Sequence, residues 1–320
     1  MSASSSPPKQ LSFDEFIRTC TPLVKFPELE DAMRQRVQSI VRNLLGFQPN
    51  DDPVQRLTQF LRQDKDFLGI LLALTNLSQE KFLRIITAQR FATKDYKPEW
   101  GIDKVQRKIK ENDQFARQVA ELFLQGRNNE QLIQQIADFY LDQLSLPEEW
   151  AELIRDETLI SGVVRRKLAG EYANKKGEEV EKLVSRTIEQ FAPYQRGQVT
   201  LVGGKEVDHA VPSLDDPFVM VMVSYMETTS SGQTARANEQ REMYQKVLEE
   251  RMRYPQNPKR VFVNVVDGGG WLARRSDLRK IYGSCDYCLN LRTLDILGQI
   301  ILHHVPGRYL KGGADAHNVN

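Results

Sequence analysis

Acidic side chains set on either side of an apolar run are the part of this sequence most able to do chemistry. Asp208 stands in KEVDHAVP between Val207 and His209. The run PFVMVMVSY ends near Ser224 and is followed by Glu227, and SSGQTARANEQ then carries Glu239 and Gln240. Upstream, KKGEEVE holds Glu178, Glu179 and Glu181. Carboxylates brought together from separate elements are hard oxygen ligands. Two or three of them can hold one or two Mg²⁺ ions, which polarise a phosphoryl oxygen and lower the pKa of an attacking water. A lysine or another polar group then orients that water. Taken alone, Asp208 reads better as a turn residue; only convergence with the other acids at one strand end gives it a chemical role.

The remaining reactive types read more plainly. His209 adjoins Asp208, but side chains alternate along a strand, so it points to the opposite face and a structural role is preferred over a general base. His303 and His304 fall at the end of the last helix, where they favour its negative end. Cys285 and Cys288 form a C-x-x-C that has no second ligand pair for zinc, and with Cys20 they make three cysteines, too few for a disulfide framework. They read as packing thiols in a reducing, cytoplasmic setting. VFVNVVDGGGWLARR sets Asp267, three glycines and Trp271 behind a buried strand, without the glycine spacing that cradles nucleotide phosphates. Asp267 is expected to cap the strand end, Gly268 to Gly270 to allow positive φ or close packing, and Trp271 to anchor in the core, away from the acids.

The net charge of +1 gives no basic whole, but an enzyme that releases its product needs only a basic groove. VVRRKLAGEYANKK concentrates Arg165, Arg166, Lys167, Lys175 and Lys176, and a second cluster follows at Arg274, Arg275, Arg279 and Lys280. Each reads equally as a phosphate contact or a solvated helix face.

The elements that must position these groups follow from periodicity. MSASSSPP begins an expected disordered tail, 1–10, with no signal-peptide pattern. Residues 11–148 show apolar positions at helical spacing, broken at Pro22, Pro27, Pro49, Pro53 and Pro98, which predicts five to seven short helices and no strand. Within 149–320 the pattern changes. GEEVEKLVSRTIEQFA predicts a helix, QVTLVGG and KEVDHAVP a hairpin joined at Gly-Gly, and PFVMVMVSY a central strand apolar on both faces. A helix over 234–254, a buried strand RVFVNVV, a short helix ending on Gly283, a third buried strand CDYCLNL and a terminal helix complete the chain. The expectation is an α/β fold with a mixed central β-sheet sandwiched by helices, antiparallel strands entering first, plus an N-terminal all-helical domain. No apolar run approaches the roughly 18 residues that span a bilayer, so a membrane role drops out.

This order of elements resembles the core of the restriction-endonuclease-like nucleases, the superfamily named for its P-D…(D/E)-x-K motif, over roughly residues 150–302. RRKLAGEYANKKGEEVEKLV is similar to the first helix of such cores, in which a G-x-x-x-E spacing, here Gly177 and Glu181, supplies an auxiliary metal-side acid. VFVNVVDGGGWLARRSDLRKIYGSCDYCLNL resembles the closing strand, helix and strand of several type II restriction endonucleases. The sequence departs from the motif: Asp208 follows Val207 and not proline, and Met222-Val223-Ser224 and Glu227-Thr228-Thr229 are the nearest stand-ins for (D/E)-x-K. Some members place a serine on the strand and move the acid to the next helix. Ser224 followed by Glu239 matches that order, and Glu239 is preferred over Glu227 as second metal ligand. Gln233, Arg236 or Gln240 stands in for the lysine.

The resemblance implies a type II restriction endonuclease restriction-endonuclease-like core, with Asp208, Glu239 and Glu181 on Mg²⁺ and Ser224, Glu227 and Gln240 near the chemistry. It further implies double-stranded DNA as substrate, 5′-phosphate ends, a homodimer to cut both strands, and a cognate DNA methyltransferase as genetic partner. Lys175, Lys176, Arg236, Arg274 and Arg275 are the expected DNA contacts. The helical part is expected to recognise DNA, through residues such as Arg90, Lys94, Lys97 and Lys104, or to dimerise. A non-specific or repair nuclease and a catalytically degenerate DNA-binding module are the alternatives.

Overall fold

A computed structural model describes residues 7–48, 51–144, 146–147 and 149–312 of the chain. Most of the expected tail and Pro49 lie outside the described residues. The chain forms two compact units, one comprising Met1–Leu29 with Ala173–Asn320, the other Glu30–Tyr172.

Helix α1 (Phe13–Thr19) starts on a capping box, in which the Ser12 hydroxyl accepts from the Glu15 amide and the Glu15 carboxylate takes the Ser12 amide. It belongs to the sheet-bearing unit, contrary to the expected boundary after residue 148. Asn290 Nδ2 donates to Phe16 O at 3.1 Å and Thr19 Oγ1 at 2.7 Å, and Tyr282 donates to Leu11 O. These long-range bonds leave no mark on local periodicity.

The helices that follow are α2 (Pro27–Leu45), α3 (Pro53–Gln63), α4 (Phe67–Leu74), α5 (Gln79–Ala92), α6 (Ile102–Glu111), α7 (Asp113–Gln125), α8 (Glu130–Ile133), α9 (Asp138–Leu141) and α10 (Trp150–Leu153). Pro27 and Pro53 open helices, where a missing N–H costs nothing, and Asp52 caps α3 by accepting from Gln55 N. The single-turn helices α8 and α9 are too short for periodicity to show, which is why the described helices outnumber the expected five to seven. In the helical unit Phe60 stacks on Phe67 with ring centroids 4.5 Å apart and meets Trp150 edge-on at 5.1 Å. Buried Asp66 is bonded by Arg36 and Lys167, so Lys167 of the first basic cluster is a structural ion-pair partner.

Helix α11 (Glu157–Glu189) runs 33 residues without a break, and the boundary between the units falls within it. No proline or glycine-rich linker marks that boundary.

The second unit carries a five-stranded mixed sheet in the order β1 (Gln195–Val199), β2 (Lys205–Val211), β3 (Val219–Tyr225), β4 (Val261–Asp267) and β5 (Tyr287–Leu289). The first three are antiparallel neighbours, and β3, β4 and β5 run parallel, as the element order predicts. Gly203 and Gly204 both take left-handed φ, 79° and 73°, in the connection of β1 to β2, a conformation open to glycine at little cost. Helices α12 (Gly232–Arg253), α13 (Gly269–Ala273), α14 (Arg275–Tyr282) and α15 (Asp295–His304) complete the unit.

The alternation of β3 sorts its side chains between two cores. Val219, Val221 and Val223 pack with Val180, Val184 and Ile188 of α11 and with Leu297, Ile300 and Ile301 of α15. Met220 and Met222 pack with Ala237, Met243 and Val247 of α12, with Trp271 and Leu278, and with Phe16 of α1. Each such large apolar side chain stabilises the fold by about 1.5–3 kcal/mol on full burial, so the stripe pattern alone fixes which face of each helix meets the sheet. Among the described residues no helix is long and apolar enough to cross a membrane.

Candidate functional site

The site begins where β2 and β3 part. Their paired register runs through Val211↔Val219, Ala210↔Met220 and His209↔Val221 and stops there. Beyond it the Val223 amide donates at 2.7 Å to Asp208 Oδ2, a side chain taking the place of the next backbone acceptor. Burial pushes the Asp208 carboxyl above the ordinary aspartate range; the Val223 amide pulls it down, the nearby Glu181 carboxylate pushes it up, and the Arg236 and Arg196 guanidiniums pull it down. Asp208 therefore sits among one further acid and two cations, delivered by α11, β1 and α12.

Glu181 lies on α11 and is paired with Arg196 at 3.1 Å, both side chains remaining partly open to solvent. Arg196 falls at the register shift between Gln195 and Gly197, an irregularity that reorients an edge-strand side chain. Sequence reasoning missed Arg196; its only signal was a cation beside a strand glycine. Arg236 Nη1 donates at 3.0 Å to Ser224 Oγ, and Trp271 Nε1 donates to the same oxygen at 3.2 Å. The two lone pairs of buried Ser224 are thereby occupied. Its role here is to orient Arg236, and no lone pair is left for a metal.

Several expected residues lie elsewhere. Glu239 is 54% exposed and faces Lys205 Nζ at 3.8 Å, a cation that also bonds Glu242. The order of residues matched a migrated acid, but the α12 face that meets the sheet is Gln233, Ala237 and Gln240, and Glu239 lies off it. Glu227 accepts from Lys176 Nζ and from Tyr225 OH, both at 2.6 Å. Lys176 is buried in that pair, so it presents no surface cation; Lys175 is half-buried and partnered. Arg274 is engaged by Ser230 O, Thr234 Oγ1 and Asp277, whereas Arg275 is exposed. Gln240 is buried with neither amide atom hydrogen-bonded, and Gln233 leaves its Nε2 unpaired while its Oε1 accepts from Ser230 N.

His209 faces the other side of the sheet, as alternation predicts. Its Nε2 is 2.9 Å from Ser185 Oγ and its ring lies 4.8 Å from that of Tyr194. Burial, with Arg196 adding to it, holds its pKa down to about 4, so it is neutral near pH 7 and packs as a polar core residue. The three cysteines are buried thiols; burial pushes Cys20 up to about 12 and Cys288 well above its usual range, which leaves those two unreactive.

The glycine segment is a structural clasp tied to the site. Asp267 accepts from Thr21 N at 2.6 Å, Gly268 N at 2.9 Å and Leu291 N at 3.0 Å. A Cβ on Gly268, whose φ is +107°, would fall 2.2 Å from Met226 O, and one on Gly270 would fall 2.3 Å from Thr228 O. The glycines are therefore required for the backbone following β3 to pass against this loop. The expectation that DGGGW stands away from the site needs correction, because Trp271 reaches Ser224.

Among the described residues no group of three or more His, Cys, Asp or Glu side chains converges as a metal site. Asp208 and Glu181, the latter paired with Arg196, are a set of two carboxylates near enough for the charge of one to act on the other. Mg²⁺ commonly takes one or two carboxylates and fills its other positions with waters and substrate phosphate, so the set fits a cation completed by substrate. Arg196 and Arg236 beside it suit an anionic ligand. No protein-family model matches the chain, and no curated protein or solved structure matches it either.

Proposed function

We propose that this chain is a Mg²⁺-dependent site-specific endonuclease acting on double-stranded DNA through a restriction-endonuclease-like core, and working as a homodimer so that both strands are cut. The observation that carries the reading is Asp208 at the parting of β2 and β3, with Glu181, Arg196 and Arg236 acting on the same carboxyl. Asp208 and Glu181 would hold the cation. Bound there, Mg²⁺ supplies Lewis-acid activation of a phosphodiester and of the attacking water. Arg196 and the guanidinium N–H groups of Arg236 not given to Ser224 suit the phosphate oxygens. Trp271 and Ser224 fix the Arg236 plane. Exposed Arg275 is an outlying phosphate contact.

A second reading, a catalytically degenerate DNA-binding module, is favoured by Ser224 being filled by two donors and by Glu239 facing Lys205. Incubation of the protein with plasmid and Mg²⁺ separates the two. The endonuclease gives discrete fragments that Asp208→Ala abolishes, a smear indicates a non-specific nuclease, and retarded but uncut plasmid indicates the degenerate module. Discrete cutting by Asp208→Ala overturns the site. Asp208→Asn adds an independent readout. It keeps an oxygen for Val223 and removes a buried charge whose pKa is raised, so its melting temperature at pH 7 rises while cutting is lost. A melting temperature below the parent's contradicts the electrostatics given for the site.

A further inference from the structure

Within the helical unit, α5, the loop after it, α7 and the segment after α7 enclose a cavity of about 500 Å³ that the chemistry above does not use. Its aromatic wall is Trp100, and Arg90 lines the cavity beside it. The Arg90 guanidinium is buried, donates to Asp95, Lys97 O and Pro98 O, and lies 4.1 Å from the centre of the Trp100 ring. Arg90, a residue expected to touch DNA, thus holds the indole and also borders the cavity. Phe115 meets Trp100 edge-on at 5.8 Å, and Ile86, Leu122 and Leu132 supply apolar surface.

The polar lining is dominated by amides. Gln89, Gln118, Gln125 and Asn128 face the cavity, and none of them has a hydrogen-bond partner among the described residues. Each amide offers a donor and an acceptor side by side, the complement of a nucleobase edge. Arg90 is in the lining, and Lys104 and Lys108 stand outside it at 5.2 and 4.8 Å from the Trp100 ring centre, so a phosphate attached to such a base would find cations around the indole. A flat, uncharged ring with mixed donors and acceptors and an anionic tail satisfies all of these features. A purely apolar ligand would strand the amides, and a ring carrying its own negative charge would meet Glu121.

Next to the cavity, Phe91 and Tyr96 are 44% and 69% exposed with rings 5.4 Å apart, and Lys94 and Lys97 are exposed beside them. Exposed aromatics of this kind can fill a gap opened in a base stack. We infer that the cavity receives a nucleobase swung out of duplex DNA, set against Trp100 and Phe115 and read by Gln118 and Gln125, while Phe91 and Tyr96 occupy the vacated stack. This rests on the DNA-directed reading of the chain and adds to it a base-extruding step carried by the helical unit.

The test uses the full chain and the four deoxynucleoside 5′-monophosphates, each titrated while tryptophan fluorescence is followed. Trp150 and Trp271 are buried, so half-buried Trp100 reports. At least one monophosphate gives saturable quenching. The Gln118→Leu/Gln125→Leu variant, altered at exposed positions, binds it at least tenfold more weakly with an unchanged melting temperature, and Asp208→Ala binds it as the parent does. Absence of saturable quenching with all four, or parent-like binding by the double variant, overturns the pocket. These probes need neither a duplex nor cleavage, so failure of the nuclease reading is seen separately. For the extrusion step, a duplex with one mispaired base is bound at least tenfold more tightly than its fully paired counterpart. Equal affinity, or binding to neither, overturns that step.

Discussion

Replacing Asp267 by alanine tests how the glycine segment holds the sheet unit together. The carboxylate takes three backbone N–H groups, from Thr21, Gly268 and Leu291, at 2.6 to 3.0 Å. These tie the chain before α2 and the turn after β5 to the end of β4. An N–H left unpaired where water cannot reach costs about 1–3 kcal/mol. Three orphans set a ceiling that the variant will not reach, because the segment around Thr21 can move to meet solvent, and because alanine relieves a buried charge that desolvation disfavours, as the raised Asp267 pKa records. A net loss of about 3–4 kcal/mol remains, which for a domain of this size lowers the melting temperature by roughly 6–16 °C. Asp267→Asn retains one acceptor oxygen but turns an amide donor toward a backbone donor, so it falls between parent and alanine. Calorimetry of the three proteins at pH 7 measures the series. A loss below about 1 kcal/mol for Asp267→Ala would refute the clasp and reduce Asp267 to an ordinary turn residue.

Gly270→Ala lowers stability by about 3 kcal/mol or more, since its Cβ would meet a backbone oxygen at 2.3 Å, whereas Gly283→Ala, whose nearest neighbour is Arg279 O at 3.5 Å, stays within about 1 kcal/mol of the parent. Equal urea midpoints for the two variants would remove the close-packing role of Gly270. His209, held at a pKa of about 4 against an unfolded value near 6.5, binds its proton more weakly folded than unfolded. Its contribution is therefore complete above pH 6.5 and is lost as pH falls from 6.5 toward 4, by up to about 3 kcal/mol. Unfolding free energies at pH 7.5 and 4.5 should diverge less in His209→Gln than in the parent; identical pH dependence would show that His209 carries none of the load.

What the sequence revealed was what local periodicity encodes. The two-faced apolar run of β3, the Gly203-Gly204 turn and the Val180, Val184, Ile188 stripe each follow from a side-chain repeat of two or about 3.6 residues, and each is found where expected. The membership of α1 was hidden because Asn290 and Tyr282 hold it across more than 270 positions of chain. Glu239 was misplaced for a related reason. Sequence order puts an acid on the correct helix, but on an α-helix one residue is a rotation of about 100°, and neighbouring Gln240 takes the face beneath α12. Lys176 was misread because clustered lysines resemble a solvated face until a half-buried acid such as Glu227 is found opposite one of them.

The relation between the glycine segment and Asp208 is one of support across the sheet. Gly268 and Gly270 let the backbone after β3 pass close to the loop, and that approach brings the indole of Trp271 to Ser224. Ser224, bonded from one side by the indole, presents its oxygen to Arg236, and Arg236 is one of the two cations that draw the Asp208 carboxyl down against the burial that raises it. Gly270 touches no atom of Asp208, yet enlarging it displaces the donor that sets the Arg236 plane. The sheet end is thus a chain of mechanical dependences from Asp267 to Asp208, in which backbone proximity at two glycines fixes the electrostatic setting of one carboxylate.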